Sequence, residues 1–134
     1  MKTRTLATAV TAAIVLAVLG LGLALHASRG DASAAQARAV ARAFFQTIDR
    51  KSFARTCDLL SPRFYRRNHV PDKRRCILGL TVGMAMAPGY RFEITGARVS
   101  GDEAVVSARA NGVPGRVVLV REHGRFKVLS VQGG

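Results

Sequence analysis

Residues 90–131, YRFEITGARVSGDEAVVSARANGVPGRVVLVREHGRFKVLSV, decide the fold. Tyr90, Phe92 and Ile94 alternate with Arg91, Glu93 and Thr95, the period of two of a strand with one apolar face. Val105 and Val106 mark a second strand near 103–110. In a third, Val117, Leu119 and Arg121 oppose Val118 and Val120; in a fourth, Phe126, Val128 and Ser130 oppose Lys127, Leu129 and Val131. Turn chemistry separates them at Ser100-Gly101-Asp102, at Asn111-Gly112-Val113-Pro114-Gly115, and at His123-Gly124, a two-residue hairpin signal. Four short strands joined this way predict an antiparallel meander.

The residues before it have a helical period. In 35–51, Ala37, Val40, Ala41, Phe44 and Ile48 form an apolar stripe widened by Phe45. Ser52 is a plausible N-cap for a short helix at 53–60, with Phe53, Cys57 and Leu60 on one face, which Ser61-Pro62 ends or bends. Arg63 to Asn68 offers one more turn. Pro71 and Asp72 open a third helix, in which Cys76, Leu80 and Met84 share a stripe beside Ile77. Pro88-Gly89 closes the helical half. Three helices followed by four strands predict an α+β domain with helices covering one sheet face.

Cys57 and Cys76 thus fall on the inner faces of two helices, 19 residues apart, and are expected to form a structural disulfide. Such a bridge contributes about 3 kcal/mol in the chain-entropy model. Two buried free thiols are the alternative. Two cysteines without a histidine pair do not complete a tetrahedral metal site, and the spacing is not that of a catalytic C-x-x-C dithiol.

Residues 6–25, LATAVTAAIVLAVLGLGLAL, carry no charge. As a helix they rise about 30 Å, the hydrocarbon thickness of a bilayer. Lys2 and Arg4 precede them, which by the positive-inside rule keeps the N-terminus cytoplasmic and places the rest outside. The expectation is a signal-anchor at 1–26, a small polar linker at 27–35, and an extracytoplasmic domain at 36–134. Secretion after cleavage near Ala34, at Ala32-Ser33-Ala34, is the alternative.

The chain has 21 Lys+Arg against 8 Asp+Glu; setting aside Lys2, Arg4, Arg29 and Asp31 leaves 18 basic and 7 acidic residues in 35–134, a net of +11. The densest stretch holds Arg63, Arg66, Arg67, Lys73, Arg74 and Arg75, with Phe64, Tyr65 and His69 interleaved and Asp72 its only acid. This is a candidate anion-binding surface. Its expected partners outside the membrane are anionic lipid headgroups or cell-wall polymers, with envelope proteins also open; nucleic acid has only the charge in its favour. A solvated arginine-rich face is the plainer reading.

The apolar leader, the helix AVARAFFQTID, the segment Cys57-Asp58-Leu59-Leu60-Ser61-Pro62, a second cysteine about twenty residues on and a terminal meander together resemble the small exported NTF2-like (cystatin-like) proteins of high-GC bacteria. The resemblance covers residues ~35–134. It implies a curved sheet wrapping a long helix into a cone with a pocket at its mouth. It places Tyr90, Phe92, Ile94, Val105, Leu119 and Val128 near that interior. The chain departs from larger members in lacking a clear strand pair between its second and third helices, which bears on pocket depth. The superfamily includes isomerases, cyclases and dehydratases as well as members that only bind or assemble, and fold does not carry function across.

Catalysis in such a cone needs an inward acid, His or Tyr. Glu93 alternates outward, Asp102 and Glu103 sit at a turn, and Asp49 and Asp58 lie beside Arg50 and Arg55. No Ser-His-Asp set, metal set or Gly-rich phosphate loop has supporting context. The expected role is therefore a non-catalytic, membrane-anchored binding or assembly module, needing no cofactor. The alternative is an apolar-ligand pocket or isomerase-like protein of the same fold.

Overall fold

Four helices precede four strands in the computed structural model, which describes residues 30–89 and 91–133. The expected transmembrane segment and Tyr90 lie outside the described residues, among which no helix is long and apolar enough to cross a membrane. One compact unit begins at Ala34. Its elements are α1 (34–49), α2 (Phe53–Asp58), α3 (Pro62–Arg67), α4 (Lys73–Gly83), β1 (Phe92–Ser100), β2 (Glu103–Ala110), β3 (Val113–Glu122) and β4 (Arg125–Gly133). Residues 30–35, expected as linker, are helical. Ala32, Ala34 and Ala35 favour this, since alanine is the best helix former.

The helices number four rather than three because Ser61-Pro62 begins a helix instead of only ending one. Ser61 is extended at the N-cap, its Oγ accepts from the Phe64 amide at 3.1 Å, and Pro62 takes the first turn. Asp72 caps α4 in the same way, its Oδ1 accepting from the Arg75 amide at 2.8 Å, which leaves Pro71 outside the helix. Ser52 holds the N-cap position of α2 without a side-chain cap bond; its carbonyl accepts from the Thr56 amide instead.

The sheet is a curved antiparallel meander in the order β1-β2-β3-β4. Asn111-Gly112 and His123-Gly124 both have positive φ at each residue, the type I′ geometry that matches strand twist. Val113, Pro114 and Gly115 therefore belong to β3 rather than to the turn. Two bulges correct a strict alternation. From Phe92 and Ile94, a period of two would turn Arg98 into the core; an unpaired Thr95 shifts the register, so Ala97 and Val99 pack inward and Arg98 stays exposed. In β4 the register slips at Leu129, so Ser130 pairs with Val118 and Val131 with Val117. Ser130 thus leaves the face of Phe126 and Val128, and Val131 joins it.

The inner face of the sheet meets α1. Ala104, Val106 and Ala108 of β2 are small enough to admit Phe44 and Phe45, and Phe45 stacks on Phe92 with centroids 5.4 Å apart. Val117, Leu119 and Val128 are fully buried in this core. Val118, Val120 and Leu129 form a smaller cluster on the other face, with Val105 against it, so Val105 is not an interior residue of the cone. The α2–α3 junction seals part of the β4 edge: Val128 N–H donates to the Leu59 carbonyl at 2.7 Å, and Ser61 N–H to the Val128 carbonyl at 2.8 Å. Cys57 and Cys76 form the expected disulfide, joining α2 to α4 with Cα atoms 6.1 Å apart.

Candidate functional site

The basic cluster divides between two capped helices. Arg63, Arg66 and Arg67 lie on α3, and Lys73, Arg74 and Arg75 form the first turn of α4; all six are exposed. Lys73 Nζ pairs with Asp58 Oδ1 at 2.7 Å, and Lys127 Nζ donates to the Asp58 carbonyl oxygen at 2.7 Å. The lysines are thereby drawn to α2, while the five arginines form no ion pair among the described residues. An exposed pair such as Lys73–Asp58 contributes about 0–1 kcal/mol. The cluster therefore keeps nearly all of its field for solvent or a partner.

The interleaved aromatics have a different task. Phe64 and Tyr65 are half-buried and pack on the main core, meeting edge to face at 6.2 Å. The Tyr65 hydroxyl donates to the Cys57 carbonyl at 2.8 Å. Burial first, then the charges of Asp58 and Asp72, push its phenol above the usual 10.0. These rings hold α3 down on α2 and are not a stacking platform for bases. His69 is exposed in a left-handed turn between the helices.

A second feature is a cavity of about 210 Å³ at the end of the sheet marked by the β2–β3 hairpin. Phe45 closes it from α1, with Ala108, Val113, Val117 and Val131 around it and Arg116 at its lining. Of the residues expected to line a pocket, Leu119 and Val128 are fully buried, and Phe92 and Ile94 pack half-buried against the core. None of these four lines this cavity. Its walls come from positions hidden by the turn at 111–112 and the bulge at Leu129, which place Val113 and Val131 on the inner face.

No acid, histidine or tyrosine among the described residues lines the cavity. Asp49, Asp58, Asp72, Glu93, Asp102, Glu103, His69 and His123 are all exposed. Among the described residues no three His, Cys, Asp or Glu side chains are grouped to hold a metal ion. The described cavity can enclose a small apolar group and place a cation near it; it presents no proton-transfer pair.

Comparison with known proteins places this architecture. No family model and no curated protein matches the chain. Among solved structures, an NTF2-like family protein from Streptomyces avermitilis, provisionally called a dehydratase, matches with a TM-score of 0.57 at 18% identity, over 77% of this chain and 95% of that one. A de novo designed protein with a curved β-sheet matches with a TM-score of 0.50 at 14% identity, over 72% of this chain and 97% of that one. The fold is NTF2-like.

Proposed function

We propose that this chain is a non-catalytic binding module of the cell envelope, held to the cytoplasmic membrane by its leader with the NTF2-like domain outside. Its working surface is the arginine cluster of α3 and α4, and its partner is an anionic polymer or headgroup array. One observation carries the reading. Five exposed arginines within thirteen residues form no ion pair among the described residues, in a domain where no Asp, Glu, His or Tyr lines the cavity under Phe45. Arginine presents a planar fork of donors suited to phosphate and carboxylate oxygens. Nucleic acid is disfavoured because Phe64 and Tyr65 are committed to the core.

The test uses the full chain in zwitterionic nanodiscs, sedimented with anionic vesicles or isolated cell wall. Between about 0.01 M and about 1 M salt the screening length falls from about 30 to about 3 Å. Binding at low salt should collapse at high salt, and the Arg66→Gln, Arg67→Gln, Arg74→Gln, Arg75→Gln variant should lose it. Binding unchanged in that variant refutes the role of the cluster.

The second reading, a small apolar-ligand or isomerase-like pocket, is favoured by the cavity under Phe45 and by the neighbour provisionally called a dehydratase. Mass spectrometry of the natively purified chain tests it: a retained apolar ligand, displaced by Val131→Trp, supports the pocket.

A further inference from the structure

The uncharged remainder of α4 is left unexplained by anion binding. From Cys76 to Tyr90 the chain has no charged residue. Cys76, Ile77 and Leu80 turn toward the core. On the outside, Leu78 is 54% exposed, Val82 71%, and Met86, in the turn after the helix, 95%. Leu78 and Val82 are four residues apart and so share one helix face. Burying large apolar side chains is the ordinary outcome of folding, and exposed ones that adjoin one another mark a contact surface. Gly79 and Gly83 have open space where a side chain would stand, so nothing in the described structure covers this face.

The same helix begins with Lys73, Arg74 and Arg75. It is amphipathic along its axis, cationic at one end and apolar at the other. At 1.5 Å per residue, Val82 lies about 10 Å along the helix from Arg75. A helix at a membrane interface buries its apolar face about 5–10 Å into the boundary between headgroups and acyl chains. The spacing therefore matches a tilted helix with its arginines among phosphates and Val82 and Met86 among acyl chains. Charge complementarity selects this occupant. The apolar face continues along α4 directly from Arg74 and Arg75, which form no ion pair among the described residues; the +11 domain that carries them repels a second copy and attracts an anionic bilayer.

We infer that α4 and the turn after it, through Leu78, Val82 and Met86, insert into the surface of an anionic bilayer while the neighbouring arginines bind its headgroups. This rests on the proposed anion-binding reading and names the lipid surface as its partner. The contact is two-part: each basic residue near an anionic surface strengthens binding about fivefold, and the apolar side chains add a component that salt does not screen.

The chain contains no tryptophan, so a single introduced one is an unambiguous reporter. Full-length Val82→Trp is reconstituted into phosphatidylcholine vesicles with and without phosphatidylglycerol, alongside Ser100→Trp as an exposed control on β1. The expected result is a blue-shifted emission from the Val82→Trp variant, quenched by lipids brominated on their acyl chains, only with phosphatidylglycerol present. The Ser100→Trp control stays unquenched, and adding the four arginine substitutions to Val82→Trp abolishes its signal. Emission from Val82→Trp that stays unquenched in phosphatidylglycerol vesicles overturns insertion. If arginine-dependent sedimentation persists in that case, the anion-binding reading stands alone; if it is also absent, both fall. Equal quenching in pure phosphatidylcholine overturns the coupling to the arginines. A blue shift without lipid quenching, together with a doubled mass in nanodiscs, assigns the face to a second copy and also overturns the inference.

Discussion

Replacing Cys57 and Cys76 together by alanine removes the covalent link between α2 and α4, and its cost can be worked from the loop it closes. The sequence separation is 19 residues. The chain-entropy relation then gives about 3 kcal/mol at 25 °C. A domain of about 100 residues has about 5–15 kcal/mol in total, and 1 kcal/mol moves its melting temperature by about 4–8 °C. The expected fall is therefore about 12–24 °C, read by circular dichroism on the full chain in nanodiscs. The loss should not be uniform. Inside the described fold α4 turns only Cys76, Ile77 and Leu80 toward the core, so without the bridge it should open before the sheet does. Hydrogen exchange should show amides of residues 77–83 losing protection well below the global limit, while Val117–Val120 keep theirs relative to that limit. A melting shift of less than about 4 °C, with α4 amides still exchanging only by global unfolding, would refute the reasoning. It would mean that packing alone holds α4.

Three further perturbations test other parts of the structure. Leu119→Ala, at a fully buried site in the sheet, should cost about 3–5 kcal/mol, read as a lower urea midpoint at unchanged slope. Gly115→Ala should cost about 1–3 kcal/mol by the same measurement, because its Cβ would stand 2.9 Å from the Gln132 carbonyl oxygen across the β3–β4 ladder; an unchanged midpoint would show that the β4 end yields freely. Tyr65→Phe removes the bond to the Cys57 carbonyl and should cost about 1 kcal/mol at neutral pH. It should also flatten an alkaline slope: the folded phenol is raised above 10.0 by burial, Asp58 and Asp72, so its contribution is complete below about pH 10 and declines as pH rises through that value toward the folded one. Wild type and variant with identical alkaline slopes between about pH 9 and 11 would contradict the assignment.

What could be read from the residues depended on whether a rule of spacing survived intact. In β3, Val117 and Leu119 face one way and Val118 and Val120 the other, as strict alternation requires. Strict alternation fails at both bulges, since a period of two has no place for an extra residue. Yet the sequence holds the reason for the first: without the Thr95 bulge, Arg98 would point into the core. The fourth helix was hidden because Ser61-Pro62 can stop one helix and start another, and only the Ser61 cap bond to Phe64 decides between them. The cavity under Phe45 could not be read for the same reasons, its walls at Val113 and Val131 being set by a turn and a bulge. The Lys73–Asp58 pair lies on the two helices that the disulfide joins, yet spacing alone offered Asp58 only its near neighbour Arg55. Exposure of Leu78 and Val82 was equally illegible, because an apolar residue on a helix reads as core until its neighbours are known.

The distribution of chemistry across this fold follows from how its concave sheet is filled. Bulges at Thr95 and Leu129 bend the strands and turn apolar residues inward from both edges. Alanines at 104 and 108 then let Phe44 and Phe45 of α1 settle deep into the hollow, and Phe45 stacks on Phe92. Part of the space left over is the cavity of about 210 Å³ under Phe45, walled mostly by apolar residues with Arg116 and Gln132 at its lining. Filling the hollow with phenyl rings stabilises a small domain but leaves little room there for a buried carboxylate, whose desolvation would cost several kcal/mol without a partner. The opposite holds on α3 and α4. Their backbone starts are fixed by Ser61 and Asp72, their inner faces by Tyr65 and the disulfide, and their arginines are left exposed and unpaired among the described residues. A rigid support under an unneutralised cationic surface is preorganised for a multivalent anion, because little ordering remains to oppose binding. That arrangement ties the proposed function to the helical layer rather than to the cone.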